Sequence, residues 1–191
     1  MNTKTIKDNL KTIYGDYCKE YQRGADASYK RRLSELKAGD VAPASRGFFY
    51  ADDRDRFAER ASDYREKARA VVDDAMQEVR VRKTDSPTTE AVNYINLLRN
   101  KHNVTEEEIS NAVERYGDNY SCYHALRDIA EDNHVLTLDV HPLDKITEGL
   151  ENTLSSINQM GVINAERGRC TDGASSVFGM SIDINIPDYS D

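Results

Sequence analysis

Residues 57–79, FAERASDYREKARAVVDDAMQEV, decide the fold, because apolar residues recur there at alternating steps of four and three. These positions are Phe57, Ala61, Tyr64, Ala68, Val71 and Ala75. Charged side chains fill most of the positions between them, so the pattern predicts a long helix with one narrow apolar stripe. Such a stripe is typical of a helix that packs against another helix.

The preceding segment has the same helical period. Apolar residues recur every three or four positions from Thr3 to about Ala38, and Gly39 is a typical helix stop. A second helix is expected from the acidic run at residues 52–55 to about Lys83, because carboxylates favour the first turn of a helix. Two helices of nearly equal length with a short linker predict an antiparallel hairpin over residues 1–84. The linker carries an aromatic trio, which we place at the hairpin tip: Phe48, Phe49 and Tyr50.

Residues 85–191 are expected to form a separate, acidic α+β lobe. Three short helices are predicted between about residues 90 and 133, and a further helix runs from Pro142 to about Met160. Alternating apolar residues predict strands near 135–140 and 177–186, of which the second is expected to lie on the helices rather than join a partner's sheet. The predicted fold is therefore mainly α: a long antiparallel helical hairpin followed by a small helical bundle with a minor two-stranded β element.

The charge of the chain is distributed unevenly. The formal net charge is −8, but residues 1–50 carry 10 Lys and Arg against 6 Asp and Glu, whereas residues 136–191 carry 3 against 9. This asymmetry predicts that the acidic lobe attracts a basic partner, or that the acidic end of one copy attracts the basic end of another. Solvated charge without a partner is the alternative interpretation.

The compartment is predicted from the apolar runs and the cysteines. No run approaches the length of a membrane span, and the first residues lack the apolar core of a signal peptide, so we expect a cytoplasmic protein without a membrane partner. Three cysteines without CxxC spacing, namely Cys18, Cys122 and Cys170, are expected to be reduced thiols in that compartment.

No sequence motif for catalysis or metal binding is present. The four histidines have no HExxH spacing, although Cys122 with His124 and Asp139 with His141 are each two residues apart, and Cys170 could complete a soft metal site. Phosphate-binding motifs of the GxxxxGK[ST] and GxGxxG types are absent. Neighbouring carboxylates lie on faces that the period assigns to solvent, whereas a catalytic carboxylate needs partial burial to shift its pKa. We therefore expect neither an enzyme nor a metal or cofactor site.

Nucleic-acid binding is not expected either. The arginines of the second helix alternate with acidic residues at ion-pair spacing, so that only the Lys30, Arg31 and Arg32 triplet lacks neighbouring acids. A protein that depends on phosphate contacts needs a coherent basic face.

Residues 90–133, with the core TEEEISNAVERYGDNYSCYHALRDIAEDN, resemble the ubiquitin-associated family of three-helix bundles in layout, especially at the Tyr116-Gly117-Asp118 turn. The resemblance implies a protein-binding bundle. Lys101-His102-Asn103 stands where that family has Met-Gly-Phe/Tyr, so ubiquitin binding is not implied. The charged hairpin with an acidic lobe also resembles small bacteriophage-encoded proteins, some of which act in head assembly and others against host defences.

These observations predict a non-catalytic protein-binding protein, a phage structural or assembly factor that forms a homo-oligomer through the helical hairpin. The predicted contact residues are the aromatic trio and three positions of the apolar stripe: Phe48, Phe49, Tyr50, Phe57, Tyr64 and Val71. The alternative is an acidic inhibitor that blocks a basic host protein, such as a nuclease, in the host cytoplasm.

Overall fold

A computed structural model of the chain describes residues 1–39, 51–158 and 184–189. The described residues are mainly helical, as the sequence predicts, and contain six helices and no β-strand. The helices are α1 (Thr3–Ala38), α2 (Ala51–Lys83), α3 (Thr89–Arg99), α4 (Glu106–Tyr116), α5 (Tyr120–Asp132) and α6 (Pro142–Asn158).

Local capping interactions set several helix ends, of which the stop at Gly39 lies where the sequence predicts it. Gly39 ends α1 in the left-handed conformation with φ of 78°, which glycine adopts without steric cost. Thr105 begins α4 with a reciprocal capping box: its backbone N–H donates to Glu108 Oε2 at 3.0 Å, and the Glu108 N–H donates to Thr105 Oγ1 at 3.3 Å. Asn119 caps α5 by accepting the backbone N–H of Cys122 at 3.1 Å.

The chain divides into two compact units. Unit 1 comprises Met1, residues 74–148 and Asp191, and unit 2 comprises residues 2–73 and 149–190. Both α2 and α6 therefore contribute residues to each unit. The predicted boundary after residue 84 stays a prediction.

The core of unit 1 lies among α3, α4 and α5. Ile109 and Leu126 are fully buried at its centre, and Ile95 and Ile129 are nearly so. Residues 135–140 were predicted to form a strand, but the structure shows no strand there. Three apolar residues of this segment pack against the helical core instead: Val135, Leu136 and Leu138. The alternating apolar residues of this segment therefore reflect contact with the helices. A strand would need a neighbouring strand to pair its backbone N–H and C=O groups.

Unit 2 is built from α1, most of α2, the second part of α6 and the segment 184–189. The Thr3 N–H donates to the Tyr189 carbonyl at 3.1 Å, and the Tyr189 N–H donates to Thr3 Oγ1 at 2.7 Å. A Cβ at Gly149 would collide with the Asn185 carbonyl, so only glycine permits this close approach to α6. Residues 184–186 of the second predicted strand have no strand structure, and residues 177–183 lie outside the described residues.

The buried face of α2 follows the predicted stripe at its alanines but departs from it at Tyr64 and Val71, which are only half-buried. Ala61, Ala68 and Ala75 are buried as expected, but Val72 is fully buried whereas Val71 is only half-buried. A straight helix has 3.6 residues per turn, so its inner face drifts away from a strict heptad and moves to the next residue.

Candidate functional site

The first candidate site is a polar network in unit 1 around Asp144, in the first turn of α6. Lys83 Nζ lies 2.7 Å from Asp144 Oδ1, and the Tyr120 hydroxyl donates to the same oxygen at 2.9 Å. His124 Nε2 lies 3.3 Å from Asp144 Oδ2. We call these four residues the Asp144 network. Burial opposes the charge of Asp144, but hydrogen bonds from Lys83 and Tyr120 outweigh it and lower the pKa of this carboxyl group.

His141 lies beside this network and begins α6. Its Nδ1 accepts the backbone N–H of Leu143 at 3.1 Å, so the unprotonated nitrogen serves as a helix cap. The Tyr123 and Tyr120 rings pack edge-on against the imidazole, with centroids 4.9 and 5.2 Å away. Burial lowers the pKa of His141, although a hydrogen bond with the Gly117 backbone works in the opposite direction. The neutral imidazole is therefore the form that this environment stabilises.

The groups of the Asp144 network mainly satisfy one another. The exception is His124 Nε2, which is buried and has no hydrogen-bond partner among the described residues, although it lies 3.3 Å from Asp144 Oδ2. Within the described residues, no group of three or more His, Cys, Asp or Glu side chains is placed to hold a metal ion. This arrangement is suited to holding the start of α6 against α5 and the end of α2.

The residues considered for a soft metal site are only partly brought together. His124 and His141 have ring centroids 6.3 Å apart, whereas Asp139 is exposed and contributes its backbone carbonyl to the Tyr123 hydroxyl at 2.7 Å. Cys122 is 1% exposed, and burial raises the pKa of its thiol, which keeps it protonated. Cys170 lies outside the described residues.

The second candidate site lies in unit 2, where α1 contacts α2. The Tyr17 and Tyr64 rings have centroids 5.6 Å apart, and the Tyr64 hydroxyl donates to Glu20 Oε2 at 2.8 Å. Arg60 forms an ion pair with the other oxygen of Glu20. The hydrogen bond to Glu20 raises the pKa of Tyr64. Beside these contacts is a cavity of about 850 Å³, which we call the α1–α2 groove.

The predicted protein-contact residues occupy different environments. Tyr64 and Val71 are half-buried, and Tyr64 is engaged by Tyr17 and Glu20 within the chain. Phe57 belongs to α2, but its side chain is outside the described part. The aromatic trio Phe48, Phe49 and Tyr50 also lies outside the described residues.

An exposed apolar face on α1 is the surface that sequence reasoning missed. Tyr29 is 59% exposed, Leu33 37% and Leu36 38%, and their spacing places them on one side of the helix. We call these three residues the α1 face. The sequence shows that these residues lie on one side of the helix, but it cannot show that they are exposed. They continue the apolar period of Leu10 and Tyr17, which are buried.

Comparison with protein-family models, curated proteins and solved structures found no match for this chain. Among the described helices, none combines the length and apolar character that a membrane crossing requires.

Proposed function

We propose that the protein is a non-catalytic, protein-binding assembly factor that self-associates through the α1 face. The observation that supports this proposal is the exposure of Tyr29, Leu33 and Leu36 at helical spacing. Single exposed apolar residues are common on monomeric proteins, but a row of three large side chains on one helix is typical of a protein-contact surface. We also propose that the protein acts in the cytoplasm and that a phage encodes it.

The charge distribution favours a second copy of this chain as the partner. Unit 1 contains 8 Lys and Arg against 16 Asp and Glu, whereas unit 2 contains 18 of each kind. The whole net charge of −8 is therefore carried by unit 1. Lys30, Arg32 and Lys37 lie beside the α1 face in sequence, so acidic residues of another copy complement its surroundings.

The α1 face replaces the apolar stripe of α2 as the proposed contact surface. Ala61, Ala68 and Val72 are buried in unit 2, so they already contribute to the core of a single chain. We also propose that α1 and α2 form the antiparallel hairpin. This proposal is supported by the order of contacts, because Tyr17 contacts Tyr64 whereas Glu20, later in α1, also reaches Arg60, earlier in α2. The proposed tip, residues 40–50, lies outside the described residues.

The test compares Leu33→Glu with Ser34→Glu, which adds the same charge at the next exposed position of α1. We expect wild type and Ser34→Glu to be oligomers by size-exclusion chromatography with light scattering at about 50 μM. Leu33→Glu should raise the dissociation constant at least about tenfold, since a carboxylate in an apolar contact costs more than about 1.4 kcal/mol. Circular dichroism should show that all three chains remain helical. A monomeric wild type, or a Leu33→Glu oligomer as stable as wild type, would refute the proposal.

A further inference from the structure

The α1–α2 groove has an excess of positive charge that the proposed self-association does not use. Its described lining includes five basic side chains: Lys19, Arg23, Arg31, Arg56 and Arg60. Its two lining carboxylates are Asp16 and Glu20. The acidic residues of α2 do not appear in this described lining, although Glu59 and Asp63 line a second cavity together with Arg56 and Arg60.

Both carboxylates already have partners within the groove. Lys19 Nζ lies 3.2 Å from Asp16 Oδ1, and Glu20 accepts Arg60 on one oxygen and the Tyr64 hydroxyl on the other. Neither Arg23 nor Arg56 forms an ion pair with any described residue, which leaves two guanidinium groups available to a ligand. Because these cations line one cavity, a bound anion would relieve their mutual repulsion.

The positions of the cations favour an extended polyanion over a single anion. On α1, Lys19 and Arg23 are four residues apart, which corresponds to a rise of about 6 Å, and Arg31 lies about 12 Å further along the axis. On α2, Arg56 and Arg60 are likewise about 6 Å apart. The lining residues of α1 extend from Asp16 to Arg31, a length of about 22 Å. A chain with regularly spaced negative groups can engage such a row at several points.

The nature of the cations favours phosphate as the anionic group. Four of the five basic residues are arginines, whose planar guanidinium group binds phosphate oxygens through two parallel hydrogen bonds. The α1–α2 groove is concave, whereas proteins that read duplex DNA insert a protruding helix or β-ribbon into the grooves of the DNA. Tyr64 is half-buried at the groove wall, where its ring contacts Tyr17 and Lys67.

We propose that the α1–α2 groove binds the phosphodiester backbone of a single-stranded nucleic acid. Arg23 and Arg56 contact the phosphates directly, while Arg60 and Tyr64 bind Glu20 and so join the two helices beside the groove. Binding is independent of base sequence, because the groove presents cations to the phosphates rather than a set of base-reading amides to the bases. The net negative charge of the whole chain does not oppose it locally, since unit 2 carries equal numbers of acidic and basic residues.

The test uses the full chain and a fluorescein-labelled oligothymidine of about 12 nucleotides, followed by fluorescence anisotropy. Wild type should bind, and Arg23→Gln with Arg56→Gln should weaken binding at least about tenfold. Lys30→Gln removes a neighbouring cation of α1 that does not line the groove, and it should change affinity by less than about twofold. The slope of log affinity against log salt should fall by about 1.4 in the double variant, since each lost single-strand phosphate contact contributes about 0.7.

Four competitors define the ligand class. Unlabelled oligothymidine should displace the probe, whereas ATP, a duplex of the same length and poly-glutamate at equal charge concentration should not. Displacement by ATP would show a mononucleotide site, displacement by poly-glutamate would show an acidic-peptide site, and either result would overturn the proposal. So would the absence of probe binding at about 100 μM protein, or unchanged affinity in the double variant.

The single variant Arg23→Gln controls for a folding defect in the double variant. Because Arg23 is exposed, this variant should keep the circular dichroism spectrum of wild type and lower affinity about threefold. Leu33→Glu should bind the probe like wild type, which separates this proposal from self-association.

Discussion

Replacement of Asp144 by Asn tests how strongly the Asp144 network stabilises unit 1. The substitution retains the shape of the side chain and an acceptor oxygen, but it removes the negative charge. Lys83 Nζ at 2.7 Å and the Tyr120 hydroxyl at 2.9 Å then donate to a neutral amide. Because Lys83 stays charged, the variant leaves this ammonium group without a carboxylate in a partly buried place.

The magnitude follows from the burial of the pair. Hydrogen bonds to charged groups contribute about 1.5–3 kcal/mol each, compared with about 1 kcal/mol between neutral groups. The Lys83 and Asp144 side chains are 23% and 25% exposed, so solvent screens only part of the ion pair. Since the amide retains weaker hydrogen bonds to both donors, we expect the free energy of unfolding to fall by about 2 kcal/mol.

Urea unfolding followed by far-UV circular dichroism measures this difference. The control is Asp128→Asn, which removes the charge of an exposed carboxylate on α5 and should change stability by less than about 0.5 kcal/mol. The lowered pKa of Asp144 means that its contribution is complete above the unfolded pKa of about 3.9 and is lost as pH falls through the folded pKa. If Asp144→Asn and Asp128→Asn have equal stability at pH 7, the network does not stabilise unit 1 as argued.

Two further predictions concern close packing and pH. Gly149→Ala should destabilise the chain by about 1–3 kcal/mol, because the new methyl group collides with the Asn185 carbonyl. Gly15→Ala should instead stabilise the chain by about 0.5–1 kcal/mol, because the new methyl group lies inside α1 and meets no atom within 4 Å. Thermal unfolding that shows the same sign for both variants would contradict this packing argument. Because burial lowers the pKa of His141, the unfolded chain takes up its proton first, and wild-type stability should fall as pH decreases below about 6.5. His141→Asn keeps a capping acceptor that does not titrate, so its melting temperature should depend less on pH over this range, and equal slopes would refute the assignment.

Features that depend on neighbouring residues were predictable. The helical period predicted a mainly α chain, and the stop at Gly39 appears at the predicted position. These features could be read because helix formation and capping involve residues only three or four positions apart. The irregular segment at residues 135–140 was not predictable in the same way, since its alternation fits both a strand and a loop packed on helices.

The candidate sites were less predictable than the helices. Lys83, Tyr120 and Asp144 lie far apart in the chain, and no local pattern joins them before folding. The arginines of α2 looked neutralised by acidic neighbours, but the structure also places Arg56 and Arg60 in the lining of the α1–α2 groove, in addition to a second cavity that they share with Glu59 and Asp63. Spacing along a helix shows which residues share a side, but it does not show which neighbour covers that side.

The sequence by itself determined the helical character, several helix ends and the separation of charge along the chain, because these follow from local hydrogen bonding, side-chain period and composition. Only the tertiary structure decided that Val72 rather than Val71 is fully buried and that the α1 face stays exposed. It alone also brought Lys83 to Asp144. The physical reason is that burial and ion pairing depend on contacts between residues distant in sequence, and these form only when the helices pack.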